Sequence, residues 1–365
     1  MTGLRTKAAG AAMAAIAVVA AAAACAPAGT GGPARAATWR AEASWPFSLA
    51  VRGRDAVVAM GGNRIVTLDT ATGRERWRAE VAQTTHYEPA LDADTVLVSA
   101  DDRFVAFERR SGARRWEASV GEHAGGAVLT RAGSDAIALV TTERGVVAAL
   151  DVRTGQARWS ARFPGDIWAA PAADATAGVG AVLWAGDEER LHVFDLATGA
   201  VRWESVVEAG ASAPVIRNGL VVLGEGNGNF AARVVARDLT SGAERWSVPA
   251  PASFESGVTP GAAGDDVAVC DHFGTVTLVD APRGTTRWQT PLRVPILDTR
   301  VVLTSHAVVI RTYGGSIVVL DRESGRVVRR RDPGGFPVGF GVGDGRLVFA
   351  VRLARPDRVE SEPLP

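Results

Sequence analysis

From residue 38 onward, short apolar runs alternate with turn residues almost to the end of the chain. One stretch shows the unit. Residues 126–130, 136–140, 146–150 and 157–161 form four runs separated by Gly, Ser, Asp, Arg and Thr. The two middle runs are continuously apolar, as strands covered on both faces read. The last alternates, as a half-exposed outer strand should. No stretch after Cys25 keeps a helical period. Each unit therefore predicts four antiparallel β-strands and no helix.

Between the third and fourth runs stands a recurring motif. Its first copy is Leu68-Asp69-Thr70-Ala71-Thr72-Gly73-Arg74-Glu75-Arg76-Trp77. It returns with Gly112 and Trp116 after Glu108, with Asp151, Gly155 and Trp159, and with Asp195, Gly199 and Trp203. Asp238, Gly242 and Trp246 follow, then Asp280, Gly284 and Trp288. A seventh copy, Asp321 and Gly325, has Arg329 where tryptophan is expected. The turn glycines step by 39, 43, 44, 43, 42 and 41 residues. A period near 42 filled with strands is that of a propeller blade. The residue types have physical reasons. The Asp carboxylate accepts backbone N–H groups of the turn. Gly supplies a positive φ. The Trp ring is large enough to fill the wedge between neighbouring blades.

The span from Trp39 to Pro365 exceeds seven such units by most of a blade. Residues 37–42 read as a lone fourth strand, with Trp39 in the motif position. Residues 336–342 and 346–353 read as first and second strands, and 357–362 would supply the third. The expectation is an eight-bladed propeller whose last blade joins both chain ends and so hides the sheet edges. A seven-bladed ring with extra terminal strands is the alternative.

The repeated Leu-Asp-x-x-Thr-Gly-x-x-x-Trp resembles the PQQ-type (quinoprotein-type) propeller repeat over nearly all of residues 37–365. Two branches of that superfamily bear on function. Quinoprotein dehydrogenases oxidise alcohols or sugars with PQQ and Ca²⁺. They are longer, carry insertions around the cofactor, and many have an adjacent cysteine pair, which this sequence lacks. The other branch, the non-enzymatic BamB-like propeller lipoproteins, matches better in length and N-terminal signal. The resemblance thus implies a non-catalytic scaffold binding an envelope protein or peptide. A small PQQ-dependent dehydrogenase and a ligand-sensing propeller are the alternatives.

The N-terminus changes the picture of location. Arg5 and Lys7 precede an uncharged run from Ala8 to Ala24, and Cys25 follows. Residues 1–24 read as a signal peptide. Ala23-Ala24-Cys25 resembles a lipoprotein cleavage box, although Ala22 stands where leucine is usual. Cys25 is then the lipidated residue, 25–36 a Gly/Pro-rich tether, and the domain an extracytoplasmic one held at a membrane face. Ordinary secretion is the alternative. The second cysteine, Cys270, reads as a small buried hydrophobe.

Composition narrows the partners. Forty basic and forty acidic residues balance, so no net field favours nucleic acid. Lys7 is the single lysine. The histidines show no zinc spacing, and no nucleophile elbow or phosphate loop is present. The acidic turn Asp187-Glu188-Glu189 lacks a Ca²⁺-loop spacing and reads as solvated. Candidate binding residues are left to the loops on one face of the ring: His86, Tyr87, Trp168, Glu225, Asn227, Asn229, Phe254 and His272. Trp168, Phe254 and Phe336 are expected to form an apolar patch or to plug the channel. The loop from Gly224 to Phe230 could offer oxygens to a cation.

Overall fold

The computed structural model describes residues 38–208, 210–226, 232–254, 259–296, 300–353 and 356–365. The expected signal peptide, lipidation site Cys25 and tether, together with Asn227 and Asn229, lie outside the described residues. Eight four-stranded antiparallel sheets follow one another around a ring. Blade 1 has the strands Pro46–Arg52, Asp55–Met60, Arg64–Asp69 and Glu75–Glu80. Blades 2 to 7 repeat this order, and in blade 3 the strands are Ala124–Ala132, Asp135–Thr142, Val146–Asp151 and Ala157–Arg162. The last blade is composite. Phe336–Gly343, Arg346–Arg352 and Arg358–Pro363 come from the C-terminus, and Trp39–Glu42 adds the outer strand. Trp39 lies opposite Ser361 and Glu42 opposite Arg358. The eight-bladed expectation holds, including the third strand of the closing blade.

The core is divided into eight apolar clusters, one at each blade interface. Between blades 3 and 4, for example, Ile137, Leu139 and Ala149 pack on Val182, Trp184 and Phe194. The second and third strands contribute to both neighbours, which is why they read as apolar throughout.

The motif binds one blade to the next. Asp69 Oδ1 accepts the backbone N–H of Ala71 and Thr72, at 3.0 and 2.9 Å. The Gly73 N–H then closes the turn on the Asp69 carbonyl at 2.8 Å. Each motif Trp donates its indole N–H across the interface, always to the carbonyl just after the acidic position of the next turn. Trp39 reaches Thr70, Trp77 Arg109, Trp116 Val152 and Trp159 Leu196. Trp203, Trp246 and Trp288 reach Leu239, Ala281 and Arg322. The same ring lies under the next turn glycine. A Cβ on Gly73 would stand 2.6 Å from the Trp39 ring, and one on Gly155 2.6 Å from Trp116. Gly112, Gly199, Gly242, Gly284 and Gly325 sit in the same way on the preceding tryptophans. The glycine therefore serves its positive φ and the neighbouring blade together.

Two further features complete the device. An arginine precedes each Trp from 77 to 288, and the third-to-fourth-strand ladder shifts register there. The bulge returns that guanidinium to the turn: Arg158 lies 2.6 Å from Asp151 and Arg202 2.8 Å from Asp195. These arginines hold the Asp151 and Asp195 carboxyls below the usual carboxylate range. At the broken seventh copy, Arg329 replaces the indole. Its Nη1 donates to the Pro363 carbonyl at 2.9 Å and pairs with Glu362 at 3.1 Å.

Candidate functional site

Strand direction sorts the connections onto two faces. The first-to-second and third-to-fourth turns share the face of the capped motif turns. The second-to-third turns and the blade-to-blade connections share the other face. Five exposed large hydrophobic side chains stand on this loop face: Trp45, Trp168, Phe273, Tyr313 and Leu353. The remaining ones among the described residues, Val201, Val206, Val327 and Val328, lie on outer strands. Two cavities open here. One of about 620 Å³ occupies the central channel, and one of about 850 Å³ lies beside it over blades 1 and 2. They share Phe47 and His86.

The channel gathers three of the residues expected from sequence, His86, Tyr87 and Trp168. The His86 and Tyr87 ring centroids lie 4.3 Å apart, with the planes tilted by 31°. The Tyr87 hydroxyl donates to Glu143 at 3.4 Å, and its carbonyl accepts Ser48 Oγ at 3.0 Å. These contacts tie the connection after blade 1 to blades 1 and 3. Phe336 also lines the channel, with the Arg311 guanidinium 5.1 Å from its ring centroid.

Two expected rim residues are corrected. Phe254 is 2% exposed, packed between blades 5 and 6 under Gly224, where a Cβ would meet its ring at 2.5 Å. Glu225 is 1% exposed and pairs with Arg233 at 2.5 Å. Its carboxylate is committed to the fold instead of being offered to a cation. Glu225 ends the strand Leu220–Glu225, where one position decides which way a side chain faces. Phe254 lies in the connection after Glu244–Pro249, its N–H donating to the Gly226 carbonyl at 3.1 Å. His272 is half-buried at a turn of blade 6, its N–H donating to the Ser253 carbonyl at 2.8 Å. It stands outside both cavities.

Its neighbours are structural. Asp271 Oδ1 accepts the Thr275 N–H at 2.7 Å. Thr142 and Thr312 cap the equivalent turns, receiving Val146 N–H at 3.0 Å and Ser316 N–H at 3.1 Å. Burial pushes the Asp271 carboxyl up, against the backbone N–H bonds that lower it. Burial likewise raises the Cys270 thiol far above its ordinary value, as suits a core side chain. Among the described residues no three His, Cys, Asp or Glu side chains converge as a metal cage.

The sequence reading missed a group supplied by three strand ends and one connection. Arg300, Arg311 and Arg352 line the channel, and Arg52 stands at its far end. Arg300 pairs with Glu88 at 2.9 Å and donates to the Phe340 carbonyl at 3.3 Å. Arg311 donates to the Pro337 carbonyl at 2.9 Å. Arg352 lies 5.2 Å from the Trp45 ring centroid. Trp45 and Leu353 hold positive φ angles of 50° and 62°, conformations that bulky residues adopt at a cost. Only ring closure reveals this cluster, since its members come from blades 1, 7 and 8 and the connection that leads into blade 7.

Comparison with known proteins places the chain. A family model described as "Outer membrane protein assembly factor BamB" matches residues 22–167 and 230–337. The outer membrane protein assembly factor BamB of Alteromonas naphthalenivorans is 27% identical over 207 residues, 56% of this chain and 40% of that protein. BamB of Yersinia pestis is 25% identical over 52% of this chain and 53% of its own length. The serine/threonine-protein kinase AfsK of Streptomyces griseus is 32% identical over 40% of this chain and 20% of the kinase. The chain thus spans about half or less of the length of these relatives. Among solved structures, BamB from Moraxella catarrhalis superposes with a TM-score of 0.66 at 16% identity, covering 90% of this chain and 99% of that one. A europium-containing methanol dehydrogenase gives 0.63 at 13%, covering 86% and 84%. These two likenesses speak for the fold alone.

Proposed function

Because this chain belongs to the PQQ-like propeller family described as outer membrane protein assembly factor BamB, we propose that it is a non-catalytic docking scaffold of the cell envelope. It holds a partner protein on the loop face. The observation that carries this reading is the gathering of Trp45, Trp168, Phe273, Tyr313 and Leu353 there, around a channel lined by arginines. Aromatic residues and arginine are the types that dominate protein–protein contact energy. The relatives' name, an assembly factor, describes a task of this kind.

The chain ends support an orientation. The strand Trp39–Glu42 starts at the turn face, where Trp39 meets Gly73. Twelve residues, 26–37, separate Cys25 from Thr38, a reach of at most about 45 Å. A domain lipidated at Cys25 would be tethered by its turn face and would present the loop face outward. The channel donors do not suit a quinone with Ca²⁺. Glu88 is the one carboxylate among the described lining residues, it is held by Arg300, and Cys270 is buried elsewhere.

The test is site-specific photocrosslinking of the full chain in intact cells. Positions 45 and 168 should yield the same envelope polypeptide, and position 201 on an outer strand should not. Equal yields from all three positions would overturn the docking reading. Added PQQ and Ca²⁺ should give neither a retained quinone absorbance nor dye reduction with alcohols or glucose. Retained cofactor with turnover would establish the dehydrogenase instead.

A further inference from the structure

The channel has a charge pattern that the docking reading does not by itself require. Its described lining residues include four arginines, Arg52, Arg300, Arg311 and Arg352, against one carboxylate, Glu88. A concave site with one sign of charge and apolar walls concentrates the opposite charge. The walls here are apolar: Phe47, Phe336, Val338 and Phe340 share the cavity.

Arg352 is the sharpest member. It extends from the end of the strand Arg346–Arg352 and lies over the Trp45 ring. Its Nε is buried and has no hydrogen-bond partner among the described residues. Stacking on an aromatic face leaves a guanidinium its in-plane N–H donors, the geometry that grips a carboxylate. The segment is held for this. Leu353 and Trp45 keep positive φ, and the Trp45 carbonyl accepts the Gly61 N–H at 2.8 Å.

We propose that the channel mouth receives a carboxylate from an acidic, extended segment of the partner protein, with Arg352 as its principal contact. This rests on the reading of the loop face as a docking surface, and it names what docks there. The extent of the site favours a peptide over a small anion. The channel cavity and the second cavity lie side by side, with Phe47 and His86 lining both. Exposed Trp45 lines the second cavity and exposed Trp168 the channel. A small anion needs neither the length nor the apolar flanks. A segment mixing acidic and apolar side chains uses both.

The experiment uses the full chain and two fluorescein-labelled decapeptides, one carrying aspartates around a tryptophan, the other identical with lysines. Fluorescence anisotropy should show the acidic peptide binding and the lysine peptide at least about tenfold weaker, with the difference shrinking in high salt. Arg352→Gln should weaken the acidic peptide about tenfold, and Arg352→Lys less, since lysine keeps the charge but not the fork. Equal binding of the two peptides by the unaltered chain overturns the proposal, whatever the variants do. So does wild-type affinity in a folded Arg352→Gln chain, and so does displacement of the acidic peptide by equimolar citrate, which would mark a small-anion site. The crosslinks from positions 45 and 168 separate the two readings. If they persist while the acid preference is absent, docking stands and the acidic partner falls.

Discussion

The two faces of the ring are built from the same strands and differ in what they leave unsatisfied. On the turn face, each capped turn is the support of the neighbouring blade. Gly155 covers Trp116, and the Trp116 N–H is taken up by the carbonyl of Val152. Such a turn can vary little, because a change on one blade is felt on the next. On the loop face, connections are tied down one by one, as Asp166 is to Ala185 and Ile296 to His272, without a single recurring device. They expose Trp45, Trp168, Phe273, Tyr313 and Leu353, and they hold Trp45, Asn63, Asp101, Arg293 and Leu353 at positive φ. Asn218 and Asp344 on the turn face have positive φ as well, so it is the exposed apolar area, gathered on the loop face, that supports the proposed docking role. Repetition marks where the fold is held together; its absence marks the face on which docking is proposed.

The largest expected effect breaks the turn face. Trp116 is buried, and Trp116→Ala should cost about 3–5 kcal/mol in denaturant unfolding. Trp159 is only half-buried and should fall at the lower end of about 3–5 kcal/mol. Gly155→Ala should be comparably damaging. It strains a φ of 74° and puts a Cβ 2.6 Å from the Trp116 ring, together about 2–5 kcal/mol. In the double variant the clash is gone, so the losses should fall short of additivity by more than about 0.5 kcal/mol. Additive losses would mean that the glycine acts through its own φ alone.

That coupling was not legible in the sequence, although both of its residues were. The motif announced the strand–turn–strand unit, the acidic cap, the glycine and the tryptophan, and its period announced the blade. What a linear motif does not say is that Gly155 belongs to Trp116 and not to Trp159, its nearer neighbour in sequence. The arginine at 76, 115, 158, 202, 245 and 287 was open to inspection, yet its purpose depends on a register shift that periodicity does not display. The loop face was legible as a location. His86, Tyr87 and Trp168 do line the channel. Glu225 turned inward because the register of its strand decides which way the last side chain faces, and Phe254 because the connection after blade 5 folds its ring under Gly224. Arg352 meets Trp45 only once the chain ends have met, so no local pattern could pair them.

A smaller effect tests the one seam that breaks the rule. Between blades 7 and 8, Arg329 and Arg331 face Glu360 and Glu362 in place of a tryptophan over a glycine. Arg329 is part-exposed, so Arg329→Ala should cost about 1 kcal/mol, well below the tryptophan seams. The cost should shrink in 1 M NaCl, where the Debye length is about 3 Å. Trp116→Ala should show no such salt dependence. A salt-insensitive loss at Arg329 would assign its contribution to packing of the side-chain stem.

The finest distinction between the faces lies in the sign of a pH effect. Asp151, on the turn face, is held below the ordinary carboxylate range by the Arg158 hydrogen bond. It releases its proton more readily folded than unfolded, so its contribution is complete above the unfolded value near pH 4 and is lost as the pH falls further. Asp271, on the loop face, is raised by burial. The folded chain therefore holds that proton to higher pH than the unfolded chain does, and stability declines as pH rises from about 4 through the raised value. Asp271→Thr installs the residue that caps the equivalent turns at Thr142 and Thr312. Relative to wild type it should gain up to about 1 kcal/mol at pH 7 and little at pH 4. Asp151→Asn should lose roughly 0.5–1 kcal/mol at pH 7 and approach neutrality at pH 3. Thermal melts of both variants across that range give two slopes of opposite sign. If Asp271→Thr followed the same slope as Asp151→Asn, burial at the loop-face turn would not govern its titration, and the electrostatic contrast between the faces would collapse.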